Sequence, residues 1–140
     1  MILIEKNGDL FSSTDSKAHC ISADCRLGAG IALHFRRRYG QINNIKTQRK
    51  KVGQVAYFEH TPGEYIFNLV PKQRFWEKPT YADLYQCLKD LTLICEQLGV
   101  RRLALPKIGC GLDNLEFTRV RKLIVQAFNT KDIVITIFKQ

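Results

Sequence analysis

The sequence predicts an α/β fold in which a mixed central sheet of about six strands is covered by helices on both faces. Short apolar runs of strand length alternate with segments of helical periodicity, and this alternation is typical of a mostly parallel sheet. Two runs are separated only by the turn His60-Thr-Pro-Gly63, which predicts an antiparallel hairpin. Two glycine-rich stretches each follow a strand, where the ligand clefts of such sheets lie.

Six segments are expected to be strands because they are short, apolar and bounded by turn-forming residues. They cover residues 2–6, 18–22, 54–59, 64–70, 102–106 and 133–138. The chain has 140 residues, of which 45% are hydrophobic. Residues 1–140 are therefore expected to form a single domain with a core of its own.

Four helices are expected between these strands. One begins near Ile31, a basic one covers about residues 41–51, and the last begins at Asp113 or Asn114. The third has the clearest signals, because Thr80 can cap it, Asp83 occupies the third helical position and Gly99 ends it. Its apolar stripe has a 3.6-residue period and contains Tyr81, Leu84, Tyr85, Leu88, Leu91, Cys95 and Leu98.

The positive charge is concentrated in one part of the chain. The formal net charge is +9, and no acidic residue occurs between Asp24 and Glu59. The basic residues of that window are Arg26, Arg36, Arg37, Arg38, Lys46, Arg49, Lys50 and Lys51. They form either a contact surface for a polyanion or an ordinary solvated helical surface, and the sequence leaves both open.

The N-terminus lacks the pattern of a signal peptide, and no run reaches the roughly 20 apolar residues of a membrane span. We therefore expect an intracellular protein of the nucleus, the cytoplasm or both, with no membrane partner and a monomer as the default state. The five scattered cysteines are expected to be free thiols. No zinc motif is complete, so neither a metal site nor a cofactor is predicted.

The two glycine stretches are candidate anion sites. The first reads Arg26-Leu-Gly-Ala-Gly-Ile-Ala and the second reads Pro106-Lys-Ile-Gly-Cys-Gly-Leu-Asp113. Glycine lets backbone N–H groups approach a phosphate at a helix start, although such turns also serve purely structural needs. Two such loops in one small domain suggest a diphosphate held between them.

Lys72 and Asp113 each follow an apolar strand, so their side chains are expected at the mouth of the cleft. Lys72 is either a nucleophilic amine or an ordinary surface lysine. Asp113 is either a chemical group of the site or a helix N-cap. The neighbouring Phe75 and Trp76 either cover a ligand or pack against the following helix.

His19 and Cys20 do not form a nucleophile–base pair, because adjacent residues of a strand point to opposite faces. We expect His19 to be packed in the core.

Four motifs in the same order along the chain resemble the macrodomain family, and within it the terminal ADP-ribose protein glycohydrolase type. They are Gly8-Asp-Leu-Phe11, Ala18-His-Cys-Ile-Ser-Ala-Asp-Cys-Arg-Leu-Gly-Ala-Gly-Ile-Ala32, Lys78-Pro-Thr-Tyr81 and Leu105-Pro-Lys-Ile-Gly-Cys-Gly-Leu-Asp113. The resemblance implies a three-layer α/β/α macrodomain with ADP-ribose lying across the ends of the strands.

The resemblance also implies residue roles. Lys72 would attack the anomeric carbon of the distal ribose, and Asp113 would assist. Asp9 and Leu10 would contact the adenine. The first phosphate loop would use Ser22, Gly28, Gly30 and Ile31, and the second loop would hold the diphosphate and distal ribose with Lys107, Ile108, Gly109, Cys110, Gly111 and Leu112.

The implied activity is removal of mono-ADP-ribose, and of whole chains, from glutamate and aspartate esters on proteins, together with deacylation of O-acyl-ADP-ribose. Other macrodomain hydrolases have an asparagine and a longer glycine run in the first loop. Here that loop reads Asp24-Cys-Arg-Leu-Gly-Ala-Gly, which favours the lysine mechanism. Two alternatives stay open: a non-catalytic reader of ADP-ribose or poly(ADP-ribose), and a nucleic-acid-binding protein. The basic face would serve poly(ADP-ribose) or nucleic acid as a partner.

Overall fold

The computed structural model describes residues 1–139 and contains a mixed six-stranded sheet. Its strands are β1 (Ile2–Asn7), β2 (Ser16–Ser22), β3 (Val55–Thr61), β4 (Glu64–Lys72), β5 (Arg102–Leu105) and β6 (Val134–Lys139). The strand order is β1-β6-β5-β2-β4-β3. Every neighbouring pair is parallel except β3 with β4. The predicted mixed sheet and its single hairpin are therefore confirmed.

The four helices are α1 (Gly30–Tyr39), α2 (Ile42–Gln48), α3 (Tyr81–Leu98) and α4 (Phe117–Phe128), and a 3₁₀ turn covers Leu10–Ser12. The predicted start of α3 is confirmed, because the Thr80 hydroxyl accepts a hydrogen bond from the Asp83 N–H at 3.1 Å. The predicted end is also confirmed, since Gly99 adopts a φ of 71° directly after the helix.

Two predicted helix boundaries are wrong. The basic helix ends before Arg49, whose φ of 51° is left-handed and interrupts the helix. The last helix does not begin at Asp113 or Asn114, because Asn114 has a φ of 59° and α4 begins at Phe117. Sequence pattern alone does not reveal a single left-handed residue at a non-glycine position.

The sheet has one apolar core on each face. Along β4, Phe67 and Leu69 belong to the core under α3 and α4, whereas Ile66 and Val70 belong to the core under α1 and α2. This alternation is the two-residue period of a strand that is buried on both sides. Burying each such side chain stabilises the fold by roughly 1.5–3 kcal/mol. The result is a three-layer α/β/α arrangement.

His19 lies inside the core on the α1 side of β2, as predicted. Its ring stacks on Phe35 with centroids 3.8 Å apart, and its Nε2 lies 2.6 Å from the Asn68 Oδ1 atom. Burial lowers the pKa of His19 to about 4, although the hydrogen bond to Asn68 opposes that shift. The five cysteines are free thiols, as expected.

The topology decides where a ligand can bind. Strands β5, β2 and β4 are neighbours in the centre of the sheet and run parallel, so their carboxyl ends lie at one edge. The segments that follow them, residues 106–116, 23–29 and 73–80, therefore border the same cleft. None of the helices in residues 1–139 combines the length and apolar character that a membrane crossing requires.

Candidate active site

Lys72 and Asp113 meet at the carboxyl end of the sheet. Lys72 is the last residue of β4, and its Nζ atom lies 2.5 Å from the Asp113 Oδ1 atom. The ammonium group also donates to the Phe75 carbonyl oxygen at 3.0 Å. Their side chains are only 13% and 16% exposed. Lys72 is therefore not an ordinary surface lysine, and Asp113 is not a helix cap, so both alternative interpretations are wrong.

The second glycine loop, residues 106–113, holds Asp113 in place through its own packing. Ile108 and Leu115 are buried, and the Leu115 N–H donates to the Gly109 carbonyl at 2.8 Å. Gly109 has a φ of 72°, and a Cβ atom there would lie 2.9 Å from the Leu115 Cδ1 atom. Only glycine fits this position without a shift of its neighbours. Lys107, Gly111 and Leu112 are exposed along the same loop, and Cys110 is half-buried.

The first glycine loop, residues 23–29, begins at the buried Ser22 and leads into α1. Ala29 precedes the helix and provides no side-chain cap. The first N–H groups of α1 therefore have no partner within the helix and can bind an anion. Gly28, Gly30 and Ile31 are exposed at this point, so the predicted loop residues border the cleft.

The two glycine loops approach each other closely. The Leu112 Cδ1 atom lies 3.2 Å from the place where a Cβ atom on Gly30 would be, and Gly30 itself has a φ of 60°. A side chain at Gly30 would therefore displace the tip of the second loop and strain its own backbone. The two glycine loops therefore lie side by side at this edge of the sheet.

Asp9 and Leu10 lie after β1, at the edge of the sheet and remote from β4 in strand order. One carboxylate oxygen of Asp9 accepts the Phe11 N–H at 3.0 Å. Leu10 is buried in the core that also contains Phe35. They are separated from the lysine end of the cleft, because three strands, β6, β5 and β2, lie between β1 and β4.

Asp24 is a site residue that sequence reasoning did not identify. Its carboxylate accepts hydrogen bonds from the Ser22 hydroxyl, from the Phe75 N–H at 2.9 Å and from the Arg26 N–H at 3.3 Å. Burial raises the pKa of Asp24, but these donors outweigh it and hold the pKa below its usual value. One sequence signal could have indicated Asp24: it is an acidic residue that follows a predicted strand and precedes a stretch with only basic charges.

Phe75 and Trp76 lie outside both apolar cores. Their side chains are 46% and 69% exposed, and the two rings meet edge to face with centroids 5.2 Å apart. The Arg26 guanidinium lies 4.5 Å from the Phe75 ring centroid, so Phe75 lies beside the first glycine loop. Among residues 1–139, no three His, Cys, Asp or Glu side chains gather closely enough to hold a metal ion.

Comparison with known families agrees with this architecture. The Macro domain family matches residues 18–124, which span both glycine loops and Lys72. The chain belongs to the macrodomain family. ADP-ribose glycohydrolase OARD1 of Homo sapiens is 44% identical over 133 residues, which cover 94% of this chain and 87% of that protein.

Solved structures show the same fold for this macrodomain. The macrodomain of Mycobacterium tuberculosis DarG superposes with a TM-score of 0.90 at 22% identity, covering 98% of this chain and 97% of that one. Thermosipho africanus DarTG, whose structure is a complex with ADP-ribose, gives a TM-score of 0.86 at 17% identity over 99% of this chain and 42% of that one.

Proposed function

We propose that this macrodomain is an ADP-ribose glycohydrolase that releases mono-ADP-ribose from glutamate and aspartate esters on proteins. The observation that carries the proposal is the Lys72–Asp113 pair, with Nζ and Oδ1 2.5 Å apart, at the edge where two glycine loops meet. The 44% identity to an ADP-ribose glycohydrolase over 94% of the chain supports the same activity. Removal of whole chains and deacylation of O-acyl-ADP-ribose belong to the proposal, because they break the same kind of bond.

The lysine mechanism suits an ester, because a carboxylate is a leaving group that an amine can displace. Asp113 would take a proton from the Lys72 ammonium, and the neutral amine would attack the anomeric carbon. A nitrogen–carbon bond forms, the ester carbon–oxygen bond breaks, and the protein carboxylate departs with the electron pair. Asp113 would then assist ring opening and activate the water that frees the sugar and restores the lysine.

The loops would bind the rest of the ligand. The free N–H groups at the start of α1 suit the diphosphate, with Ser22, Gly28, Gly30 and Ile31 as its proposed neighbours. The second loop would hold the diphosphate and distal ribose through Lys107, Ile108, Gly109, Cys110, Gly111 and Leu112. Because the Leu10 side chain is buried, it would meet the adenine through its main chain, beside the exposed Asp9.

The decisive experiment compares release of ADP-ribose from a glutamate-modified protein by the wild type, Lys72→Ala and Asp113→Ala, with binding of free ADP-ribose measured in parallel. The expected loss of rate is roughly 100-fold or more in both variants, while binding persists. Lys78→Ala is the matched control, because Lys78 is an exposed lysine of the same connecting segment. O-acetyl-ADP-ribose as a second substrate tests deacylation.

Two outcomes would contradict the proposal. Tight binding of ADP-ribose with no release by the wild type would make the protein a reader. Normal release by Lys72→Ala would exclude the lysine as nucleophile while leaving a glycohydrolase of another mechanism.

The basic face offers a second contact for a polyanion, either poly(ADP-ribose) or nucleic acid. In residues 1–139, the basic residues between Asp24 and Glu59 take part in no ion pair, because the cation of every ion pair lies outside that part of the chain. In this part of the chain Lys50 is half-buried, and the exposed basic residues include Arg36, Arg37, Arg38 and Lys51. Neutralising these five residues should weaken polymer binding and its salt dependence while sparing free ADP-ribose. Equal loss of both ligands would contradict a separate surface.

A further inference from the structure

The backbone of one residue, Phe75, joins the first glycine loop to the lysine. The Phe75 N–H donates to the Asp24 Oδ2 atom at 2.9 Å, and the Phe75 carbonyl accepts the Lys72 ammonium at 3.0 Å. The N–H and carbonyl groups of residue 75 thus contact two charged side chains, one from the loop after β2 and one from the end of β4. Asp24 is in turn fixed by the hydroxyl of Ser22, the buried last residue of β2.

The sheet alone does not fix the reactive amine. Main-chain bonds continue the β2–β4 pairing past the strand ends, with the Ala23 N–H on the Lys72 carbonyl at 3.0 Å and the Asp24 N–H on the Gln73 carbonyl at 3.2 Å. These bonds place the Lys72 backbone, but a lysine side chain is a flexible four-carbon stem. Its Nζ atom is oriented by its two acceptors, the Asp113 carboxylate and the Phe75 carbonyl.

We propose that Asp24 is a positioning residue for the glycohydrolase reaction: it holds the Phe75 N–H, and the Phe75 carbonyl thereby holds the Lys72 amine against Asp113. The inference rests on the proposed function, because it requires Lys72 to be the nucleophile. Asp24 belongs to the loop proposed to bind the diphosphate. Its contact with Phe75 therefore links the anion-binding loop to the reacting group.

The chain contains a matched control for this contact. The Glu77 Oε1 atom accepts the Arg74 N–H at 2.6 Å, so a carboxylate holds a backbone amide one residue before Phe75. The Glu77 contact stabilises the same segment but touches no partner of Lys72. If Asp24 only stabilised the segment, removal of either carboxylate would have a comparable effect on the reaction.

The experiment measures single-turnover release of ADP-ribose from a glutamate-modified protein, and the dissociation constant of free ADP-ribose, for the wild type, Asp24→Ala, Asp24→Asn, Glu77→Ala and Lys72→Ala. Misplacement of a reacting group by about 1 Å can cost roughly 100-fold in rate. We expect Asp24→Ala to lose roughly 10- to 100-fold in rate with the dissociation constant changed by no more than about 3-fold. Glu77→Ala should release at close to the wild-type rate.

Asp24→Asn has an intermediate expected effect, because an amide keeps one acceptor oxygen in place of two. Asp24→Asn also replaces Asp24→Ala as the test variant if the melting temperature shows that Asp24→Ala does not fold. The role of Asp24 is overturned if both Asp24 variants release at the Glu77→Ala rate, or if their loss is entirely in ligand binding. Wild-type release by Lys72→Ala would instead overturn the proposed lysine mechanism, and with it this role, whereas no release by the wild type would overturn the proposed function.

Discussion

Strands β2 and β4 have a lysine–carboxylate pair at each end, and the two pairs differ in how completely the ammonium group is bound. At the amino end, Lys17 lies 2.9 Å from Glu64 and is 1% exposed. It also donates to the Ser13 carbonyl at 2.6 Å and the Asp15 carbonyl at 3.0 Å. At the carboxyl end, Lys72 has two acceptors, Asp113 and the Phe75 carbonyl, and is 13% exposed.

An ammonium group has three donors, so Lys17 is saturated by fixed partners and Lys72 is not. A saturated, buried lysine stabilises its surroundings and cannot reach a ligand. Lys72 keeps one donor available to a ligand and has glycine loops around it, as the proposed lysine mechanism requires. The residue type is identical at both ends, and the number of fixed acceptors separates the saturated pair from the pair proposed to react.

The largest expected effect on stability is at the amino end. Lys17→Met leaves the Glu64 carboxylate and two main-chain carbonyls without their charged partner, and breaking a buried pair of this kind costs roughly 3–5 kcal/mol. Lys72→Met should cost about 1–2 kcal/mol, because fewer hydrogen bonds are lost at a more accessible position. Denaturant unfolding measures both values. Equal losses of unfolding free energy in the two variants would contradict the distinction between the pairs. Slower ADP-ribose release by the folded Lys17→Met protein would also contradict it.

A second effect is the pH dependence of stability from His19, which lies on β2 between the two pairs. Its folded pKa of about 4 is below the ordinary 6.5, so the unfolded chain binds more protons between these values. The contribution to stability is complete above pH 6.5 and is lost as the pH falls toward 4, by on the order of 3 kcal/mol.

The measurement is the free energy of unfolding between pH 7 and pH 4 for the wild type and His19→Gln, in which a side-chain amide can still donate to Asn68. The loss that belongs to His19 should be absent in the variant. If His19→Gln lost stability with falling pH as steeply as the wild type, the acid sensitivity would belong to other groups, such as Glu64. Burial raises the pKa of Glu64, but its hydrogen bonds to Lys17 and Thr61 lower that pKa more strongly.

The smallest expected effect concerns the loop that carries the reactive carboxylate. Gly109→Ala places a Cβ atom 2.9 Å from Leu115 at a φ of 72°, which should cost roughly 1–3 kcal/mol and move Asp113. Gly111→Ala meets nothing within 4 Å and should change stability by less than about 0.5 kcal/mol. Thermal unfolding of the two variants checks this. Equal stability would mean that the loop relaxes freely and does not hold Asp113.

Much of the fold could be predicted from the sequence, because its signals are local. The apolar period of α3, the Thr80 cap and the turn before β4 each involve residues close together in the chain. The boundaries that were wrong depend on left-handed residues such as Arg49 and Asn114. Such conformations are common for glycine but occur at only a few per cent of other residues, so residue type alone does not predict them at Arg49 and Asn114.

The sequence by itself determined the two glycine loops, the apolar strands that precede Lys72 and Asp113, and the packed state of His19. It did not distinguish Lys72 from a surface lysine or Asp113 from a helix cap, because those alternatives differ only in what lies across the cleft. Tertiary structure decided that Lys72 and Asp113, 41 residues apart in the sequence, lie with Nζ and Oδ1 2.5 Å apart. It also decided that Asp24 meets Phe75 across 51 residues, since parallel strands bring to one edge segments that are distant along the chain.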